Sequence, residues 1–191
     1  MLMYKILRPL ATFLMKIIYR PKIIGRENIN KEGALIFVGN HTNFLDPVLL
    51  MSSTNRNVHF LGKHTLFKGI GKYFFSSIGV IPVNRTIKDK SVIPASISII
   101  EKGGVLGIFP ESTINKTDDL IMPFKIGAVK IAQLTKTLII PIIINGKYKP
   151  FGNKLEIKFL KPIKIISSNL TKENEKLMET FKKELKFVKE K

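Results

Sequence analysis

Residues 34–53 have the sequence ALIFVGNHTNFLDPVLLMSS, and this stretch decides the fold. It begins with five uninterrupted apolar residues, Ala34–Val38, which are typical of a strand buried on both faces of a sheet. A polar turn follows. Asp46-Pro47 then has the pattern of a helix N-cap followed by proline at the first helical position. The stretch therefore predicts a strand, a loop and a helix in direct succession.

The same alternation of strand and helix continues through the rest of the chain. Apolar, β-branched runs predict seven strands, namely Pro21–Gly25, Ala34–Gly39, Val58–Gly62, Val80–Val83, Val105–Phe109, Leu138–Ile144 and Lys154–Phe159. Helical periodicity predicts five helices, namely Pro47–Ser53, Leu66–Ser77, Lys90–Lys102, Phe124–Leu134 and Thr171–Lys189. Because apolar strands that alternate with helices indicate a parallel sheet, we predict one α/β domain over residues 21–191, with a mainly parallel sheet of about seven strands flanked by helices.

The composition of the 191 residues excludes several classes of protein. Hydrophobic residues make up 45% and charged residues 24%, a normal globular balance that excludes wholesale disorder. The chain has no cysteine, which excludes a disulfide scaffold, a thiol nucleophile and a cysteine-ligated metal site. The histidines, at positions 41, 59 and 64, lack the spacing of a zinc hydrolase motif, so we expect no metal.

The chain is strongly basic, with 32 Lys and Arg against 14 Asp and Glu and a formal net charge of +18. Such a charge attracts nucleic acid, anionic lipid surfaces or phosphorylated ligands. The sequence has no block of consecutive basic residues, no tryptophan and no alternation of tyrosine with basic residues. We therefore expect no nucleic-acid partner, which leaves lipid surfaces and phosphorylated ligands.

Residues 1–20 predict an amphipathic helix. At about 100° per residue, a basic and polar stripe is formed by Lys5, Arg8, Thr12, Lys16 and Arg20. The opposite face is apolar and comprises Leu2, Met3, Ile6, Leu7, Leu10, Phe13, Leu14, Ile17 and Ile18. No uncharged run approaches the ~20 apolar residues that span a bilayer, and there is no secretory signal order. Two interpretations fit this pattern: a helix in the membrane interface, or a helix docked on the protein's own core.

Candidate functional residues follow several predicted strands, where α/β sheets bind their ligands. His41 and Asp46 lie in the turn after Ala34–Gly39. A carboxylate beside an imidazole fixes its tautomer and leaves the other ring nitrogen to take a proton from a hydroxyl. Taken singly, however, Asp46 could be only a helix cap and His41 only a loop residue.

Three further stretches have the same placement. Arg85 follows a short strand and carries a guanidinium suited to phosphate. Glu111, Ser112 and Thr113 follow the next strand, where an acid and two hydroxyls could hold a polyol or form only a turn. Pro141 interrupts an apolar strand, and proline is expected at a sheet edge or a bulge.

In this order and at these spacings, the four stretches resemble the glycerolipid acyltransferases, the 1-acylglycerol-3-phosphate acyltransferase family. The family motif N-H-x4-D is matched by Asn40, His41 and Asp46. The remaining three motifs are matched by Gly79, Ile81, Val83 and Arg85, by Phe109, Pro110, Glu111 and Thr113, and by Pro141. The resemblance covers residues 20–150. The sequence departs from it at Ser112 and Ile114, where the family has glycine and arginine. Lys116 or Lys125 could supply the missing cation.

The resemblance implies an enzyme that transfers a fatty acyl group from acyl-CoA or acyl carrier protein to the hydroxyl of 1-acyl-glycerol-3-phosphate. The product would be phosphatidic acid in phospholipid biosynthesis, and no cofactor would be needed. The implied catalytic residues are His41 as general base and Asp46 as the group that orients it. The implied acceptor-binding residues are Arg85 for the phosphate, Glu111, Ser112 and Thr113 for the glycerol part, and Lys63 and Lys116 as further anion contacts.

The resemblance also favours the membrane interpretation of residues 1–20, so that we expect a peripheral or monotopic protein at the cytoplasmic face of the cell membrane. Its partners would be an anionic membrane surface, a lysophospholipid and the acyl donor. Two alternatives remain. One is an acyltransferase of the same fold that acts on glycerol 3-phosphate or another lysolipid. The other is a basic membrane-binding protein without catalytic activity.

Overall fold

The computed structural model describes residues 2–87, 89–152 and 154–189. Its helices are α1 (Leu2–Ile18), α2 (Asp46–Ser53), α3 (Ile70–Ser77), α4 (Val92–Glu101), α5 (Gly127–Thr135) and α6 (Leu170–Lys189). Its strands are β1 (Lys22–Ile24), β2 (Leu35–Gly39), β3 (Val58–Lys63), β4 (Ile81–Val83), β5 (Val105–Ile108), β6 (Ile139–Asn145) and β7 (Glu156–Phe159). Each predicted strand and helix is present, with ends that differ by a few residues.

The seven strands form one sheet in the order β1-β7-β6-β2-β5-β3-β4. All neighbours are parallel except β6 and β7, which are antiparallel. The stretch that decides the fold supplies β2 at the centre, and all five of its residues are buried. The predicted α/β class with a mainly parallel sheet is therefore confirmed.

Side chains of β2 point alternately to the two faces of the sheet and build two cores. Ile36 and Val38 face the layer that contains α4, α5 and α6. Leu35 and Phe37 face the opposite layer, with Leu49 and other residues of α2. Because each face of β2 packs against a core, the strand is apolar on both faces.

Two local expectations differ in part from the structure. Asp46 is the first residue of α2, and its N-cap is Leu45, because the Asp46 side chain turns back to the preceding loop. Pro141 lies in the interior strand β6 rather than at a sheet edge. The register with the opposite segment slips by one residue here, from Ile142 with Phe159 to Ile139 with Ile163, which is the geometry of a bulge. The Pro141 carbonyl accepts a hydrogen bond from the Leu160 N–H (2.9 Å), and the reciprocal bond does not form because proline has no N–H.

Helix α1 has one face packed on the protein core and one apolar face that is exposed, which correspond to the two interpretations of the sequence. Tyr4 and Met15 are buried at 2% and 3% exposure, and the Tyr4 hydroxyl accepts a hydrogen bond from the Val58 N–H (3.1 Å). Ile6 and Phe13 are 58% and 60% exposed. Within residues 2–87, 89–152 and 154–189, no helix is both long enough and apolar enough to cross a bilayer.

Candidate active site

The turn that carries His41 begins at a fixed point of the sheet. Asn40 is buried directly after β2, and its side chain replaces a peptide group in the pairing with β6. The Asn40 amide donates to the Ile144 carbonyl (2.9 Å), and the Ile144 N–H donates to the Asn40 side-chain oxygen (2.8 Å). The asparagine of the N-H-x4-D motif therefore has a structural role: it anchors the start of the His41 turn.

The turn wraps around the carboxylate of Asp46, which is fully buried. Asp46 Oδ2 lies 2.9 Å from His41 Nδ1 and accepts the backbone N–H groups of Thr42 (2.6 Å) and Asn43 (2.8 Å). Asp46 Oδ1 accepts the hydroxyl of Thr42 at 3.1 Å. Because the carboxylate accepts, His41 Nδ1 carries the proton and Nε2 is left with a lone pair. The geometry is that of a general base with its orienting group.

Two aromatic contacts fix the His41 ring and its surroundings. The imidazole stacks on the ring of Phe109, with 4.6 Å between ring centroids and an interplanar angle of 24°. Phe109 in turn stacks on Phe60 at 6.5 Å. These contacts hold the plane of the imidazole while the bond to Asp46 sets its rotation. The ring is therefore oriented before any ligand binds.

Tyr148 is a residue of this site that the sequence did not reveal. Its hydroxyl donates to Asp46 Oδ1 at 2.6 Å, across 102 positions of the chain. Burial and the neighbouring Asp46 carboxylate both raise the pKa of Tyr148, so it remains a donor. The one signal in the sequence is a tyrosine just after the apolar strand β6, at the same sheet edge as His41.

Glu111 was expected to hold glycerol oxygens, but the structure gives it a different set of partners. Its Oε1 accepts the His41 N–H and its Oε2 accepts the Met122 N–H, both at 2.7 Å. The side chain is buried at 5% exposure, and burial raises its pKa. Because both of its oxygens accept backbone N–H groups, Glu111 joins the His41 turn to the loop that contains Met122.

Arg85 reaches the turn that follows β5. Its guanidinium donates to the Ser112 carbonyl, and burial lowers the pKa of Arg85. Ser112 has φ 62°, in the left-handed region that glycine adopts without steric cost. This conformation explains why the resembled motif has glycine where this chain has Ser112.

A cavity of about 970 Å³ opens beside the His41–Asp46 pair. Its wall is mainly apolar, and among the described residues its charged side chains are those of Lys63, Arg85, Asp89 and Lys125. His41 and Ser112 also line it, so the structure brings five residues named from the sequence to one cavity: His41, Lys63, Arg85, Ser112 and Lys125. Asp46 lies behind the imidazole.

The cavity wall does not include the predicted residues Glu111, Thr113 and Lys116. Thr113 and Lys116 are exposed, because the chain turns away from the cavity at Ser112. The Asn115 N–H then donates to the His41 carbonyl (2.8 Å), which fixes this departing segment outside the site. In the described part of the chain, no group of three or more His, Asp or Glu side chains could hold a metal ion.

Known proteins resemble this chain in sequence. The sequence profile of the family described as Acyltransferase matches residues 20–145. The 1-acyl-sn-glycerol-3-phosphate acyltransferase of Bacillus subtilis is 30% identical over 128 residues, 65% of this chain and 62% of that protein. The protein of the same name from Borreliella burgdorferi is 33% identical over 125 residues, 64% of this chain and 50% of that protein. The chain therefore spans half to about three fifths of the length of these relatives.

The fold also has a known counterpart. The crystal structure of the 1-acyl-sn-glycerophosphate (LPA) acyltransferase PlsC from Thermotoga maritima superposes with a TM-score of 0.78. The superposition covers 98% of this chain and 80% of that chain, at 20% sequence identity. At this identity the likeness shows a shared fold.

Proposed function

The chain belongs to the Acyltransferase family, and on that premise we propose that it transfers a fatty acyl group from a thioester to the hydroxyl of 1-acyl-glycerol-3-phosphate. The product would be phosphatidic acid, a precursor in phospholipid biosynthesis. The donor is acyl-CoA or acyl carrier protein, and the reaction needs no further cofactor. The observation that carries the proposal is the His41–Asp46 pair at the wall of a large, mainly apolar cavity.

The proposed reaction is a direct transfer with His41 as general base. His41 Nε2 takes the proton of the acceptor hydroxyl, and the oxygen attacks the thioester carbonyl carbon. The C–O bond forms, the C–S bond breaks, and the imidazolium returns its proton to the leaving thiolate. Asp46 orients the ring and stabilises its cationic form. Base catalysis contributes about 10²–10⁴-fold, and a thioester is already activated.

The cations at the cavity wall suit the phosphate of the acceptor. The Arg85 guanidinium donates one N–H to the Ser112 carbonyl, and its other N–H groups remain for a bidentate contact with the phosphate. Lys63 and Lys125 line the same cavity and supply further positive charge. Lys125 is thus better placed than Lys116 to replace the arginine that the resembled motif has at Ile114.

The apolar part of the cavity suits the fatty acyl chain. Leu7, Leu10 and Leu14 of α1 line it on one side, and Phe74 and Phe75 of α3 line it on another. A volume of about 970 Å³ is at the upper end of small-ligand sites, which fits a long hydrocarbon. Helix α1 therefore contributes to the substrate site as well as to the core.

We also propose that the protein docks on an anionic membrane at its cytoplasmic face through α1. Exposed apolar side chains lie on two segments that line the cavity, α1 and the segment that contains α3, namely Ile6, Leu10, Phe13, Leu14, Ile17, Leu66, Ile70, Tyr73 and Phe74. An apolar patch of this kind is typical of a membrane contact. The net charge of +18 adds attraction to anionic lipid.

Acyl transfer by the full chain tests the enzymatic proposal. The chain is incubated with palmitoyl-CoA or palmitoyl carrier protein and with 1-acyl-glycerol-3-phosphate, glycerol 3-phosphate or lysophosphatidylcholine, and the released thiol is measured. We expect transfer to the first acceptor and a loss of about 10²–10⁴-fold in His41→Ala. His59→Gln serves as the matched histidine control. Transfer to another acceptor alone would change the assigned substrate, and no transfer with any pair would favour a non-catalytic protein.

Flotation with anionic vesicles tests the membrane proposal. Deletion of residues 1–20 would remove the buried Tyr4 and Met15, so point variants are the cleaner probe. We expect Ile6→Ser with Phe13→Ser to weaken binding strongly. Ile166→Ser, which alters a side chain that is 83% exposed elsewhere on the surface, is the matched control. Equal flotation of both proteins would contradict docking through α1.

A further inference from the structure

Tyr148 lies just outside the segment that the family profile matches, which ends at residue 145. Its hydroxyl nevertheless reaches the centre of the site, 2.6 Å from Asp46 Oδ1. The other oxygen of the same carboxylate, Oδ2, faces His41 Nδ1 at 2.9 Å. Tyr148, Asp46 and His41 therefore form one continuous hydrogen-bonded chain.

The bond from Tyr148 differs in kind from the other bonds to Asp46. Thr42 and Asn43 donate from the same turn as His41, so their positions move with that turn. Tyr148 follows β6, the strand next to β2, and joins the carboxylate to a separate part of the sheet. This hydrogen bond ties the Asp46 carboxylate to the sheet beyond its own turn.

Helix α1 holds Tyr148 in place. The ring of Tyr19, one residue beyond α1, meets the Tyr148 ring edge-on at 5.6 Å between centroids. The Phe151 N–H donates to the Ile18 carbonyl, which ties the end of α1 to the turn that contains Tyr148. The position of the tyrosine hydroxyl thus depends on the seating of α1.

We propose that Tyr148 is a positioning residue of the His41–Asp46 pair, acting through Asp46 and held by the end of α1. Its hydroxyl fixes the rotation of the carboxylate. It also withdraws negative charge from the carboxylate, which tempers the stabilisation of the imidazolium. The proposal rests on the proposed function only for its catalytic consequence, since the hydrogen-bonded chain exists without substrate.

Tyr148→Phe removes the hydroxyl and keeps the ring contact with Tyr19. We expect kcat to fall about three- to tenfold, the loss of one hydrogen bond, while KM for the acceptor stays within about twofold. The acidic limb of the kcat/KM profile is expected to move to higher pH, because the carboxylate regains its full charge towards the imidazole. Tyr19→Phe is the matched control and is expected to leave the limb in place.

Other charged groups near the pair remain in both variants. Glu111 approaches from the turn after β5, and Lys63, Arg85, Asp89 and Lys125 line the cavity. A shift confined to Tyr148→Phe therefore belongs to the hydroxyl on Asp46. An unchanged limb in Tyr148→Phe, or the same shift in Tyr19→Phe, would overturn the proposal.

A titration of the His41 ring signals by nuclear magnetic resonance separates this proposal from the enzymatic one. The full chain is labelled with ¹³C and ¹⁵N, and the three histidines are assigned with His59→Gln and His64→Gln. We expect the His41 midpoint to rise in Tyr148→Phe and to stay in Tyr19→Phe, whether or not the chain transfers acyl groups. If the protein proves inactive and the midpoint still rises, the proposed function fails and the Tyr148 contact stands. A midpoint that does not move refutes the contact.

Discussion

Glu111 offers a direct choice between two roles that predict different measurements. The motif resemblance implies contact with glycerol oxygens, whereas in the structure Glu111 bonds the His41 and Met122 N–H groups at 2.7 Å each. Glu111→Gln preserves size and shape and replaces one acceptor oxygen with an amide nitrogen that cannot accept. One buried backbone N–H must therefore lose its partner.

The magnitude follows from these two bonds. A hydrogen bond to a charged group contributes about 1.5–3 kcal/mol, and an unpaired buried donor costs a similar amount. We expect Glu111→Gln to lower the free energy of unfolding by about 2 kcal/mol. For a chain of this size, that corresponds to a fall in Tm of about 4–8 °C. Activity is expected to fall as well, because Glu111 positions the turn that carries His41.

The pH dependence of stability gives a second measure. Burial raises the pKa of Glu111 above its ordinary 4.5, so the folded state binds more protons than the unfolded state between the two values. The contribution of this group to stability is therefore present below about pH 4.5 and falls as pH rises through the raised value. The difference in the free energy of unfolding between wild type and Glu111→Gln is expected to decrease over this pH range.

Denaturant and thermal unfolding, measured beside acyl transfer, decide between the roles. The exposed Glu101→Gln is the matched control and is expected to unfold like wild type. If Glu111→Gln unfolds like wild type while KM for the acceptor rises, Glu111 contacts the substrate and the structural role is refuted.

Three further changes test individual features of the fold and site. Ser112→Gly relieves a left-handed backbone and is expected to raise the free energy of unfolding by about 1 kcal/mol or less, seen as a higher Tm; a lower Tm would contradict this. Asn40→Ala leaves the Ile144 N–H and carbonyl unpaired and is expected to lower the free energy of unfolding in urea by about 2–3 kcal/mol. Burial lowers the pKa of His59, so the free energy of unfolding of wild type is expected to decrease as pH falls below about 6.5. Denaturant unfolding at about pH 7.5 and about pH 5.5 measures this decrease, and we expect it to be smaller in His59→Gln.

The strands could be predicted because their signal is local. Five consecutive apolar residues, as in Ala34–Val38, fit a strand buried on both faces whatever lies beside it. The partner of each strand is not a local property. The antiparallel pairing of β6 with β7, and the interior position of Pro141, depend on how the chain returns after residue 145. Periodicity carries no information about that return.

The contacts of the site show the same difference between local and distant pairs of residues. The His41–Asp46 contact spans five positions within one turn, so its spacing already predicts that the side chains meet. The Tyr148–Asp46 contact spans 102 positions and joins two strand ends whose adjacency the sequence does not state. For Glu111, the motif gives the position in the chain, but only the folded structure shows that its carboxylate bonds to backbone N–H groups and does not line the cavity.

The order of the strands arranges the functional groups across the site. The adjacent strands β6, β2, β5, β3 and β4 are parallel, so their carboxyl ends form one edge, carrying in turn Tyr148, His41, Ser112, Lys63 and Arg85. Neighbouring strands are about 4.8 Å apart, which separates the ends of β2 and β4 by about 14 Å. The Arg85 side chain crosses part of this distance, because its guanidinium donates to the Ser112 carbonyl at the end of β5. Under the proposed function, an acceptor whose phosphate binds Arg85 would extend along this edge to bring its hydroxyl to His41. Because His41 is oriented from the β6 side and Arg85 follows β4, we expect kcat to respond to substitutions near β6 and KM to those near β4.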